Sequence, residues 1–294
     1  MDLITLRAGG AGLVLAPAAG GSVVRYWIDR GAAMWDVLRP WPAPRVDAVF
    51  ESAAFALVPY SNRIREGRFS FQGRDVGLPL NRPPERHSIH GLGWQTAWQP
   101  REVREHDAVL EMRHAGGAWP WAFLATQHFA LAPASLSVVL TLRNESDTPM
   151  PAGLGWHPYF LRTAGATLAA DVRTMWLTDD EVMPTTLAPP RPEADLARGV
   201  KVDAVNLDNC FVGWSRCAAT EWPESGMRLV LTAEAPLDFL VVYTPPGRPF
   251  FCVEPVTHVT DAFNLAAAGR VDTGARALEP GEMLRAGVTL RLEH

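Results

Sequence analysis

Five short tracts hold side chains able to move protons or grip polar ligands, each set among apolar or turn residues. Phe251-Cys252-Val253-Glu254-Pro255 places one carboxylate in an otherwise apolar run. Burying that charge is costly unless it is paired or used; on the plainer reading, strand alternation turns Glu254 to solvent. Trp156-His157-Pro158-Tyr159-Phe160 confines an imidazole among aromatics, as a hydrogen-bonded core histidine or as an acid–base group titrating near neutral pH. Pro59-Tyr60-Ser61-Asn62-Arg63-Ile64 puts amide and guanidinium donors in a turn before a strand, where an arginine also serves as a plain loop ion pair. His90-Gly91-Leu92-Gly93-Trp94 joins an imidazole, flexible glycines and an indole, and Asp208-Asn209-Cys210-Phe211 sets a carboxylate beside an apolar pair. His90 could equally fill a turn and Asp208 cap one. His87 and His90 have a spacing that could hold a metal, but they lack companion Cys or carboxylate ligands, and no metal is expected.

The elements that must position these tracts are strands. Leu136, Val138, Leu140 and Leu142 alternate with polar residues, and Val288, Leu290 and Leu292 do the same near the end of the chain. Phe69 and Phe71 alternate with Arg68, Ser70 and Gln72 before a Gly73-Arg74 turn. Residues 239–243 form a continuous apolar run bounded by prolines, the pattern of a strand covered on both faces. Helical periodicity is scarce; 261–268 reads as two turns at most, with Thr260 or Asp261 as N-cap and Gly269 as the stop. The Pro-rich stretch 184–192 reads as a loop. With no internal repeat and no composition shift, residues 1–294 are expected to form one all-β domain, a sandwich or barrel.

Composition removes several function classes. The net charge is −5 and there is no basic block, which argues against nucleic-acid binding. Lys201 is the single lysine among 27 basic residues, and it follows Val200, so there is no P-loop; Schiff-base chemistry would rest on a residue in a polar, loop-like tract. Gly213-Trp214-Ser215-Arg216-Cys217 lacks the closing glycine of a nucleophile elbow, and Gly9-Gly10-Ala11-Gly12 opens no helix to hold a dinucleotide. Cys210, Cys217 and Cys252 make an odd set without a CxxC pair, as expected of small buried residues in a reducing compartment. No apolar run reaches membrane-spanning length and the N-terminus is a poor signal peptide, so a cytoplasmic protein without membrane association is expected.

In chain order, the five tracts resemble the aldose 1-epimerase (galactose mutarotase) family. Its Asn-Arg-Ile tract is similar to Asn62-Arg63-Ile64, followed by Gly67-Arg68-Phe69 as its Gly-x-Phe; His90-Gly91 resembles its His-Gly element. His-Pro-Tyr-Phe stands intact at His157 to Phe160, the aspartate three residues before Phe resembles Asp208 and Phe211, and the glutamate tract resembles Glu254 with Asp261-Ala262-Phe263-Asn264. Departures are Ser61 where the family often has Gly, Leu92 between Gly91 and Gly93, and Leu161-Arg162 where Asn-Leu is common. They fall where sugar hydroxyls would be read.

The resemblance covers nearly the whole chain and implies a galactose-mutarotase-like β-supersandwich of large antiparallel sheets. It also implies Glu254 as general base, His157 as general acid, and Arg63, His90 and Asp208 as sugar-binding residues. Asn62 joins them as a donor, and Trp94, or Trp156, as a stacking surface among the 11 tryptophans. The implied reaction opens and recloses the hemiacetal of a free aldose with no metal and no organic cofactor, a monosaccharide being the only partner of a monomer or weak homodimer. That reaction asks for Glu254 ionised and His157 protonated near neutrality; the adjacent carboxylate favours the charged imidazole and aromatic burial opposes it. A second reading takes the arginines at 63, 65, 68, 74, 82 and 86 as the mark of a phosphorylated or acidic sugar. A third is a non-catalytic sugar-binding module on the same fold.

Overall fold

The period of two read along 136–142 becomes the Ser135–Asn144 strand, whose Leu136, Val138, Leu140 and Leu142 are at most 1% exposed. It pairs with Met283–Glu293 in a register that sets Leu136 opposite Leu290 and Val138 opposite Val288. Each such burial contributes about 1.5–3 kcal/mol. The computed structural model describes residues 1–31 and 34–293. Among them two antiparallel sheets, of 11 and 9 strands, carry the structure. Their facing sides share one apolar core that takes Leu13, Trp156 and Phe251 from the larger sheet and Phe129, Leu140 and Leu290 from the smaller.

Helix is confined to short pieces, the one α-helix among the described residues being Ala262–Ala267. It starts after Asp261 as expected, but Asp261 has φ 56° and its side chain caps no helix amide. Pro184–Ala188, expected as loop, is instead a strand at the edge of the larger sheet. A proline is tolerated at the start of such a strand because no ladder donor is required of it. Arg68–Phe71 and Arg74–Gly77 form the expected hairpin. Cys210 and Cys252 are buried, whereas Cys217 is exposed. No helix among the described residues is long and apolar enough to cross a membrane.

Five strands of the larger sheet matter for function: Ala54–Leu57, Gly155–Leu161, Phe250–Val256, Phe239–Tyr243 and Asp208–Val212, adjacent in that order. Their register pairs His157 with Phe55, Tyr159 with Cys252, Glu254 with Val241, and Tyr243 with both Cys252 and Asp208. Paired residues share a face, as do alternate residues along a strand. His157, Glu254 and Asp208 therefore stand on one face, while Trp156, Phe251 and Val253 point into the inter-sheet core. Alternation does turn Glu254 away from that core, yet Glu254 is 2% exposed because further residues cover this face.

The segment 61–66 is part of that cover, and most of its amides find side chains instead of a strand partner. Ser61 N–H donates to His258 Nε2 at 3.1 Å, Asn62 N–H to His90 Nδ1 at 3.1 Å, and Glu66 N–H to His87 Nδ1 at 3.0 Å. Arg63 N–H donates to Asn62 Oδ1 at 2.8 Å and Arg65 N–H to Asp261 Oδ1 at 3.0 Å. His90 and Gly91 follow at φ 61° and φ 71°, and a Cβ on Gly91 would lie 2.0 Å from the Val58 carbonyl oxygen. Gly91→Ala should therefore cost more than about 2 kcal/mol of stability in urea unfolding, since backbone and not a flexible side chain stands in the way.

A second expectation concerns acid. His258 donates Nδ1–H to the Val259 carbonyl at 2.8 Å and must stay neutral to accept from Ser61. Burial lowers it from the ordinary 6.5 to about 4. Between those values the unfolded chain binds the extra proton. The contribution is therefore intact above pH 6.5 and lost as the pH falls toward 4, by up to about 3 kcal/mol. His258→Gln should shrink the difference in urea midpoint between pH 7 and pH 5; an unchanged difference would remove His258 from this role.

Candidate active site

A cavity of about 390 Å³ opens on this face, lined by His157 and Glu254 together with Asn62, Arg63, His90 and Asp208. Six of the seven residues singled out in the sequence thus converge, from three strands of the larger sheet, the short Arg63–Ile64 strand and the turns beside that strand and its partner Ser88–Ile89. Trp94 does not line the cavity: its indole N–H is held by the Ile89 carbonyl at 3.2 Å, and its ring packs edge-on against Phe50 at 4.8 Å. Trp156 is wholly buried in the core. The aromatic walls are instead Phe50, Tyr159, Tyr243 and Phe250.

His157 is fixed by its neighbours on the sheet. Its ring stacks between Phe55, 4.7 Å away, and Tyr159, 4.6 Å away, as cross-strand pairing and alternation demand. In that sandwich Nε2 lies 3.3 Å from Glu254 Oε1. Burial penalises a charge on either member. It pushes the Glu254 carboxyl well above the usual range, with Asp208 adding to the rise and Arg63 opposing it. It pushes His157 down to about 3, with the charges of Arg39 and Arg82 acting in the same direction. Burial thus opposes the ion pair asked for by the sequence reading and favours the neutral form of both side chains. His157 Nδ1 and Glu254 Oε2 are buried with no partner in the protein.

Around the pair stand oriented donors and acceptors. His90 accepts from Asn62 at Nδ1, which leaves Nε2–H as its donor, and burial holds the ring well below 6.5 and uncharged. Arg63 Nη2 lies 3.4 Å from Asp208 and 3.4 Å from Glu85, so two carboxylates share one guanidinium. Asp208 is raised by burial, though Arg63 opposes the rise. Asn62 spends its Oδ1 on the Arg63 amide and keeps its NH₂.

Metal ligation by His87 and His90 is not what their spacing serves, because both Nδ1 atoms accept backbone N–H groups. His157, Cys252 and Glu254 bring ligand atoms within 4.8 Å of one another. Burial holds the Cys252 thiol well above its ordinary range, however, which opposes the thiolate a metal would need. Sequence reasoning missed Arg39, Arg248, Tyr243 and Phe250 as lining residues and His258 as a clamp, while Arg82 had entered only among the arginines of the acidic-sugar reading. Only Tyr159 had a visible signal, two positions from His157 on a strand.

The arrangement is a buried acid–base pair on a sheet floor, ringed by groups suited to hydroxyls, and known proteins share the fold that holds it. The Escherichia coli K12 protein YphB, itself uncharacterized, is 29% identical over 301 residues, covering 100% of this chain and 99% of that one. A solved structure from Escherichia coli K12 has a TM-score of 0.90 at 27% identity, covering 99% of both chains. A galactose mutarotase-like protein from Clostridium acetobutylicum has a TM-score of 0.84 at 21% identity, covering 99% of this chain and 94% of that one. The family model for aldose 1-epimerase matches residues 2–291. With His157, Glu254, Arg63, His90 and Asp208 gathered in one cavity of a galactose mutarotase-like fold, the chain belongs to the aldose 1-epimerase family.

Proposed function

We propose that this protein is a mutarotase, exchanging the α and β anomers of an aldose without a cofactor. The 3.3 Å contact between His157 Nε2 and Glu254 Oε1 carries the reading, since it supplies one proton and two sites for it. A sugar entering the cavity brings hydroxyl dipoles to a low-dielectric site, and the shared proton passes from Glu254 to His157. Glu254 then takes the anomeric hydroxyl proton while His157 donates to the ring oxygen. The bond from C1 to the ring oxygen breaks, C1–O1 becomes a carbonyl, and the open chain rotates about C1–C2. Reclosure runs the same transfers backward on the other face, leaving the pair with its single proton. His90 Nε2–H, Arg63 and the Asn62 NH₂ hold hydroxyls by donation, and Asp208 by acceptance.

Glu254→Gln and His157→Asn should each lower the rate by about 10²–10⁴-fold in anomeric exchange followed by NMR saturation transfer. Retention of most of the rate in either variant would remove that residue from the proton path. The pair also dictates the pH profile. A second proton, bound as pH falls toward the depressed His157 value of about 3, leaves no base; loss of the only proton above the raised Glu254 value leaves no acid. Turnover above the spontaneous rate should therefore be bell-shaped, with a plateau wider than the ordinary 4.5 to 6.5 interval of these two groups. A narrow optimum inside that interval would mean that the two titrate as exposed, independent groups.

A further inference from the structure

The cavity wall carries more positive charge than proton transfer and hydroxyl binding call for. Four arginines line it, Arg39, Arg63, Arg82 and Arg248, against the carboxylates Glu51, Asp208 and Glu254. Arg63 is already shared by Asp208 and Glu85. Among the described residues, no carboxylate stands within 4.0 Å of Arg39, Arg82 or Arg248, Glu51 included. Of the arginines at 63–86, Arg63 and Arg82 contribute to this charge and the others do not. Arg65 lies beside Asp179 and Asp261, Arg86 beside Glu181, and Arg68 and Arg74 sit on the exposed face of the hairpin.

Two of the three guanidiniums sit over aromatic rings. Arg39 Cζ lies 3.8 Å from the Tyr159 ring and 4.4 Å from Phe250, and Arg82 Cζ lies 3.9 Å from Phe50. Stacking occupies the faces and leaves the donor edges free. Arg39 gives Nη2 to the carbonyls of Phe50 and Ser52, at 2.7 and 2.6 Å, and its buried Nε has no partner in the protein. Tyr159 stacks on His157 at 4.6 Å, and Phe50 lies 5.9 Å from His90. Each of these guanidiniums thus stands one aromatic ring from a histidine of the site. A guanidinium offers five donors and no acceptor, so a neutral polyol leaves the repulsion among these cations uncompensated. An oxyanion removes that repulsion and matches the fork of donors.

We infer that the aldose turned over here carries an oxyanion remote from its anomeric carbon, a phosphate or a carboxylate, received by Arg39, Arg82 and Arg248. The inference rests on the mutarotase reading and narrows its substrate class.

The test measures anomeric exchange by saturation transfer on glucose, glucuronate and glucose 6-phosphate, and on galactose, galacturonate and galactose 6-phosphate. At least one anionic sugar should exceed its neutral parent in kcat/KM by about tenfold or more. The Arg82→Gln/Arg248→Gln double variant, altered only at exposed side chains, should bring that ratio toward one, mainly through KM. Inorganic sulfate should compete with the anionic sugar. The phosphate and carboxylate arms identify which oxyanion is meant. Neutral sugars turned over as well as or better than anionic ones would overturn the inference and leave the mutarotase reading standing. So would an anionic preference untouched by the double variant. Calorimetric binding of an anionic sugar, lost in the double variant and without exchange on any sugar, would support the anion subsite and defeat the mutarotase reading. Neither exchange nor binding would overturn both.

Discussion

Five backbone N–H groups between Ser61 and Glu66 need acceptors, and how they find them determines much of the site. A segment that turns through left-handed residues, Asn62 at φ 56° and Glu66 at φ 51°, cannot present its amides to a neighbouring strand in the ordinary way. Three of the acceptors are imidazole nitrogens from two distant stretches of chain, His87 and His90 on one side and His258 on the other. An imidazole accepts only while neutral. Burial, which makes a charged ring costly, therefore also keeps these clamps working: it holds His90 and His258 below the ordinary 6.5. The clamped segment in turn delivers Asn62 and Arg63 to the cavity, and the Asp261 carboxylate ties the same segment to the start of the short helix.

The same desolvation governs the pair at the floor. His157 and Glu254 lie on neighbouring strands, so their contact is a property of sheet register and alternation, not of a mobile loop. Phe55 and Tyr159 sandwich the imidazole and fix its plane. Such a stack lowers the dielectric around two titratable groups at once and favours the state in which both are neutral. That state and the ion pair differ only by a transfer across one hydrogen-bond length. Arg63, shared by Asp208 and Glu85, sits close enough to oppose the rise of the Glu254 carboxyl.

Much of this was legible in the residues. The alternation at 136–142 and 284–292 and the apolar run at 239–243 fix strands and faces by side-chain chemistry alone, because period two has one structural meaning. That six of the singled-out residues would share one cavity was legible because unusual polar groups stood in apolar or turn contexts. The failures have a common physical origin in tertiary contact. Pro184–Ala188 carries loop composition but gains a partner strand at the sheet edge. Trp94 has the chemistry of a sugar platform, yet Phe50 occupies that place and backs onto it. Arg39 and Arg248 stand in turns with no local mark, and their meaning comes only from what the fold sets opposite them. The protonation of the pair was undecidable from sequence because an adjacent carboxylate and aromatic burial pull in opposite directions, and the depth of burial decides.

Apart from Arg63, which Asp208 and Glu85 neutralise, depth in the cavity sorts the side chains by whether they can give up charge. A histidine or a glutamate taken out of water can become neutral by moving a proton; an arginine cannot. Accordingly His157, Glu254 and His90 lie at or below 5% exposure. Arg82 and Arg248 remain exposed, and half-buried Arg39 is braced by two carbonyls and two rings. Phe50 and Tyr159 are the spacers between these layers, each touching a guanidinium on one side and the histidine layer on the other. They keep permanent charge near enough to bias what binds, and far enough that the proton-carrying pair need not be ionised to coexist with it. A ligand that spans the layers meets proton chemistry at its deep end and fixed positive charge at its shallow end.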